Sequence, residues 1–203
     1  MRPARGTSFI EFLISGSIIT LALGISMRTC FSHSISHVSE AKANLKGLLT
    51  AQRAYYAEKD TFSSSVFAIG FQPERGNRYS YFNGGTHLVD RSTDAEAIDD
   101  THTGYRVDTF KHPKLKPLMP TLRNMSRITP SPGQKACVAV PVGCVATGTE
   151  GSFLAVAVGQ SELYPDLDNW LISSMPLEVS ASPDSELQKS APGTPTNNVN
   201  GIR

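Results

Sequence analysis

Apolar residues fall along this chain in three patterns, and each predicts a different element. From Phe9 to Met27 runs a stretch of 19 mostly apolar residues, long enough to cross a bilayer as a helix at about 1.5 Å per residue. Beyond Arg28 the apolar positions narrow to one face. Ile35, Val38, Ala41, Leu45, Leu48, Gln52 and Tyr55 recur at three- and four-residue steps, while Ser39, Glu40, Lys42, Lys46 and Arg53 take the other faces. No proline stands between Ala4 and Pro73, so one helix from about Ser8 to Glu58 is predicted. The third pattern is a series of short strands at 78–82, 104–110, 137–142, 152–158 and 169–173, separated by turn-rich stretches. Short strands after a long helix predict an α+β arrangement, an antiparallel sheet packed on the second half of that helix.

The first pattern contains a carboxylate. Glu11 sits almost at the start of the apolar run, where a charge inside lipid costs about 2.5–3.5 kcal/mol. A secretory signal peptide accounts for Arg2, Arg5 and the apolar run, but no A-x-A-like site closes the run and Glu11 interrupts it. A lipoprotein signal fails on MRTC, because Arg28 stands where a small or apolar residue is needed before Cys30. Arg2 and Arg5 favour a cytoplasmic N-terminus.

The string RG-TSFIEFLI resembles the leader and anchor of type IV pilins and pseudopilins. In that family a short basic leader ends in Gly, and Glu is the fifth residue of the mature chain; counted from Thr7, Glu11 is the fifth. The resemblance implies that a prepilin peptidase cuts between Gly6 and Thr7 and methylates the new amine of Thr7. It implies that the apolar segment stays as an inner-membrane anchor, then as filament core, and that Glu11 meets the N-terminal amine of a neighbouring subunit. An ammonium and a carboxylate attract strongly in a low-dielectric setting, and each alone is penalised there. Gly16, Thr20 and Gly24 form a small-residue stripe that allows close helix packing. The anchor departs from the family in opening on Thr7 rather than Phe, and in carrying Arg28 where Pro is usual.

Residues 40–82, EAKANLKGLLTAQRAYYAEKDTFSSSVFAIGFQPERGNRYSYF, resemble the stalk end, connecting loop and first strand of type IV pilins from Myxococcus-like bacteria. The shared letters are N-L-K, T-A-Q-x-x-Y, E-K-D-x-[YF]-S and I-G-F-x-P-E-R-G-N-R-Y. The organisation implied is a leader at 1–6, an anchor and stalk helix at 7–58, a globular head at 59–175 and a tail at 176–203. That tail is rich in Pro, Ser, Asn and Thr with little to bury, and reads as disordered. Within the head, Glu74 with Arg75 and Arg78 reads as a local ion pair or a solvated rim. Trp170 reads as a core anchor.

Composition adds limits. With 19 basic and 18 acidic residues the net charge is +1, which selects no partner. No phosphate-binding loop, nucleophile elbow or zinc spacing occurs, so catalysis and a cofactor are not expected. The family's acidic string before the last strand is here GQSELYPDLDNW, with Tyr164 at an Asp position, and no metal is expected. Cys137 and Cys144 enclose six residues; outside the cytoplasm they are expected to form a bridge worth about 2–2.5 kcal/mol. Two reduced core thiols are the alternative, and Cys30 has no evident mate. Between Arg106 and Lys135 seven Lys/Arg face one acid, Asp108. Lys111, Lys114 and Lys116 there are candidate contacts for acidic polysaccharide, with a solvated loop as the alternative. Nucleic acid is not expected, since no series of aromatics accompanies the cations.

The sequence therefore reads as a type IV pilus subunit that polymerises with other pilin subunits, served by the peptidase and the assembly machinery of the inner membrane. It would be a single-pass inner-membrane protein before assembly and part of an extracellular filament afterwards. The alternatives are a pseudopilin of a type II secretion system and an anchored ligand-binding ectodomain that never polymerises.

Overall fold

A computed structural model describes residues 9–94, 97–120, 127–128, 142–160, 167–179 and 188–197; between 9 and 36 it describes side chains only at 13–15, 17 and 19. The chain divides into two units, Met1–Val38 and Ser39–Arg203. A helix, α1 (Phe9–Lys59), begins in the first unit and ends in the second. In the first unit the described apolar side chains of Leu13, Ile14 and Ile19 are exposed, and the Ser17 hydroxyl donates to the Ile14 carbonyl. Among the described residues no helix is long and apolar enough to cross a membrane.

In the second unit α1 is amphipathic as its spacing predicts. Ala41, Leu45, Leu48 and Gln52 are fully buried, while Lys42, Lys46 and Arg53 are exposed. Lys59 closes the last turn, and Asp60, at φ +53°, leaves the helix with its N–H still donating to the Tyr56 carbonyl. A cation in the last turn complements the helix dipole.

The strands are β1 (Ser80–Phe82), β2 (Leu88–Val89), β3 (Gly104–Tyr105), β4 (Arg127–Ile128), β5 (Cys144–Ala146), β6 (Ser152–Gln160), β7 (Leu167–Ser173), β8 (Leu177–Val179), β9 (Gln188–Ser190) and β10 (Thr196–Asn197). The main sheet has the order β10-β7-β6-β1-β3-β2, with β5 also pairing β6; β4, β8 and β9 form a second sheet. The second unit is thus α+β, but its main sheet is mixed. Strand β2 pairs β3 in parallel, and the other pairings are antiparallel. The departure from an all-antiparallel sheet comes from the segment 83–103, which reads as a polar loop. It places β2 as an edge strand and buries Val89.

The register explains how helix and sheet fit. Tyr81, Ala157 and Trp170 are lateral neighbours, as are Phe82, Val156 and Leu171. The second set belongs to a core with Leu154 and Val158, flanked by Leu88, Leu118, Val142, Cys144 and Leu167. On the first face Tyr81 bonds to Asn44 and Glu40 of α1, and Ala155 and Ala157 add little bulk beneath the helix. With both faces covered, β6 reads as a nearly continuous apolar run, FLAVAVG.

Three expectations shift. The expected strand 104–110 ends as β3 at Tyr105, and the chain then turns to bury Asp108. The expected strand 137–142 lies outside the described residues except for Val142, and the strand observed is β5. The segment 176–203, read as a disordered tail, supplies β8, β9 and β10. Its backbone adds strands to both sheets, a gain that polar composition does not display.

Candidate assembly and surface sites

Four hydrogen-bonded clasps fix the loops of the second unit. At the first, the half-buried carboxylate of Glu40 on α1 accepts from the Arg78 N–H at 2.9 Å and the Tyr81 hydroxyl at 3.2 Å. Burial pushes the Glu40 carboxyl above its usual range, against the lowering effect of those donors. The Tyr81 phenol is pushed well up, by burial first and by the Glu40 charge second. At the second, the fully buried Gln52 amide donates to the Asn83 side chain at 2.9 Å and to the Ser63 carbonyl. Asn83 in turn donates to the Ser63 and Ser64 carbonyls, so the turn after α1 is tied to both helix and sheet.

The third clasp centres on Arg91 and Asp108. Arg91, 2% exposed, donates to the carbonyls of Pro73 and Glu74 and to Asn77 Oδ1 at 2.8–3.0 Å, and lies 4.6 Å from the Tyr105 ring centre. Burial lowers its pKa. Asp108 receives Arg75 Nε at 2.7 Å, the Gly76 N–H at 2.8 Å and the Lys111 N–H at 3.0 Å. Burial alone would raise the Asp108 carboxyl, but these donors outweigh it and hold it below the usual range. Arg75 therefore pairs with Asp108, 33 positions away, rather than with Glu74. The fourth clasp is Asp168, 4% exposed, which accepts from Tyr79, Trp170 and Asn197. Trp170 is buried as a core anchor, with the Lys42 ammonium 4.5 Å from its ring centre.

A groove of about 410 Å³ lies between α1 and the loop 72–77, with Glu40, Asn44, Pro73 and Glu74 on its walls. Nothing in it brings together a nucleophile, a base and a proton donor. Among the described residues no group of three or more His, Cys, Asp or Glu is placed to hold a metal ion. What the second unit offers is a helix-backed sheet with loops pinned at both edges.

This helix-on-sheet design agrees with what sequence comparison finds, since the type IV pilin PilA family matches residues 33–166, from the helix through to the approach to β7. The chain belongs to the type IV pilin family. It is 30% identical over 204 residues to the type IV major pilin protein PilA of Myxococcus xanthus (strain DK1622), a match that covers 98% of this chain and 92% of that one. Membership makes the chain a structural pilus subunit, in a family of non-enzymatic proteins that polymerise into pili at the cell surface.

In this pilin the residues singled out from sequence are scattered. Gly6 and Thr7 lie outside the described residues. Glu11, Gly16, Thr20 and Gly24 lie on α1, with side chains outside the described set. Cys144, the first residue of β5, is disulfide-bonded, and Cys137 lies outside the described residues. Lys111, Lys114 and Lys116 are exposed along the turn after β3. Arg91, Asp108 and Glu40 carry the clasps of the pilin head, and sequence reading did not find them. The one available signal was Asp108 as the lone acid in a basic stretch.

Proposed function

We propose that this pilin is made as a prepilin in the inner membrane, processed there, and then built into a surface filament. The observation that carries the reading is the register of Gly6, Thr7 and Glu11, set ahead of a chain that aligns with a pilin over 98% of its length. A prepilin peptidase cleaves after Gly6 and methylates Thr7. The apolar run 9–27 is kept as a single-pass anchor, and α1 serves as anchor and stalk in one helix. In the filament Glu11 of one subunit takes the Thr7 ammonium of its neighbour, and Gly16, Thr20 and Gly24 let the helices close together. Outside the cytoplasm Cys144 pairs with Cys137. Catalysis, cofactor and metal play no part, and the assembly machinery of the inner membrane supplies the work of extrusion.

The test has two stages. N-terminal sequencing of mature protein should begin at Thr7, and a start beyond Met27 would overturn the reading in favour of a removed signal peptide. Glu11→Ala should then be synthesised and folded normally but fail to enter filaments. A broken buried pair costs about 3–5 kcal/mol, so incorporation equal to the parent's would remove Glu11 from assembly.

A further inference from the structure

The turn that follows β3 is pinned by hydrogen bonds, cationic and capped by an aromatic ring. Its base is fixed by Asp108, which takes Arg75 and the N–H groups of Gly76 and Lys111. Phe110 N–H donates to the Arg91 carbonyl, His112 N–H to the Asp108 carbonyl and Leu115 N–H to the His112 carbonyl. His112 Nε2 lies 3.0 Å from the Gly76 carbonyl. The loop 73–77 and the turn 108–115 are therefore cross-linked by hydrogen bonds at several points.

On this base Phe110 is 45% exposed. The Lys111 ammonium lies 5.2 Å and the Arg75 guanidinium 5.9 Å from its ring centre. Lys114 and Lys116 continue the exposed cationic run. Asp108, the acid inside the turn, is buried and taken up by Arg75 and two backbone donors, so it leaves the lysines facing outward without a local counter-charge of its own. Of the acids on neighbouring loops, Asp90 lies 3.5 Å from Arg106, and Glu74, next to Arg75 in the chain, and Asp94, whose carbonyl accepts from Arg75, are exposed.

We propose that this patch binds acidic polysaccharide. Carboxylates of a uronate-bearing glycan meet Lys111, Lys114 and Lys116, and the C–H face of a sugar ring rests on the exposed part of Phe110. A flat apolar ring set among cations suits a ligand with an apolar face and spaced charges. A single-stranded nucleic acid needs a succession of stacking platforms, and duplex DNA would use the cations and ignore the ring. The inference rests on display of the subunit on a surface filament.

The experiment measures binding of sheared filaments to immobilised polygalacturonate, with neutral dextran and duplex DNA as comparators. Parent filaments should bind polygalacturonate, more tightly in about 20 mM than in about 500 mM salt, because screening shortens the reach of exposed charges. Combined K111Q, K114Q and K116Q should lower low-salt affinity about tenfold, the sum of three exposed ion pairs, and the two curves should meet at high salt. F110L should weaken polygalacturonate binding and leave DNA binding as in the parent. Equal low-salt binding by the triple variant overturns the proposal, as does F110L that binds the glycan like the parent. Tighter binding to duplex DNA than to polygalacturonate also overturns it. Were no filaments to form, the assembly reading would fail first; the detergent-solubilised full chain, put through the same comparison, still decides the patch.

Discussion

Asp108 and Asp168 are both buried in the pilin head, and the regions around them satisfy a buried carboxylate in different ways. Asp108 has a cation, Arg75, whose side chain is 29% exposed, together with two backbone N–H donors. Asp168 has neutral donors at its oxygens: the Tyr79 hydroxyl at 2.6 Å, the Trp170 indole at 2.9 Å and the Asn197 amide at 2.6 Å. The first arrangement ties two surface loops and reaches solvent. The second joins β1's approach, β7 and β10 inside the sheet. A charge pair that touches water is tunable by salt and pH, whereas a cage of neutral dipoles depends on every donor being in place.

The largest effect expected is therefore at the neutral cage. Asp168→Ala leaves two buried donors, Tyr79 and Trp170, and the half-buried Asn197 amide without their acceptor and should cost about 3–5 kcal/mol of head stability, read as a lowered denaturation midpoint. A loss below about 1 kcal/mol would mean that water or another acceptor takes over, and the cage would lose its significance. Asp108→Asn keeps the shape but loses the charge, and should cost about 2 kcal/mol at neutral pH. Its sign with pH follows from the lowered Asp108 pKa. The stabilisation is complete above the unfolded value of about 4 and fades as pH falls through the folded value. The gap between parent and Asp108→Asn should accordingly narrow below about pH 4, and also in about 1 M salt. A gap independent of both would make Asp108 a plain hydrogen-bond acceptor. The smallest effect belongs to Asn197→Ala, about 1 kcal/mol for one lost bond. Combined with Asp168→Ala it should add almost nothing, because the partner is already gone; full additivity would separate β10 from the cage.

The periodic parts of the head were legible in the sequence. Ala41, Leu45, Leu48 and Gln52 stand on one helix face because three- and four-residue steps admit little else, and all four are buried. β6 and the WLI of β7 were legible because short apolar segments bounded by turn residues read as strands. Arg91 was not, since an arginine in a polar stretch ordinarily faces water. Only the fold brings the Pro73 and Glu74 carbonyls and Asn77 to its guanidinium. The partner of Arg75 was missed for the same reason, as local spacing pointed to Glu74. Strands β8 to β10 escaped because they are recruited by the backbone of neighbours, a property carried by the neighbours' sequence.

Strand β10 also sets what an incomplete chain would be. It pairs Thr196 with Leu171 and Asn197 with Trp170, and just before it the Gly193 N–H donates to the Ser173 carbonyl. Built a Cβ, Gly193 would stand 2.8 Å from Leu49 of α1, so the turn passes close over the helix on its way to the sheet. A polypeptide ending before this turn would leave the outer edge of β7 open at Trp170, Leu171 and Ser173, where β10 and the Gly193 N–H now pair. Such an edge is a template for another chain's strand. The Gly193 turn and β10 thus act as a stopper against promiscuous strand exchange, and a subunit without them would be sticky before it could be a building block.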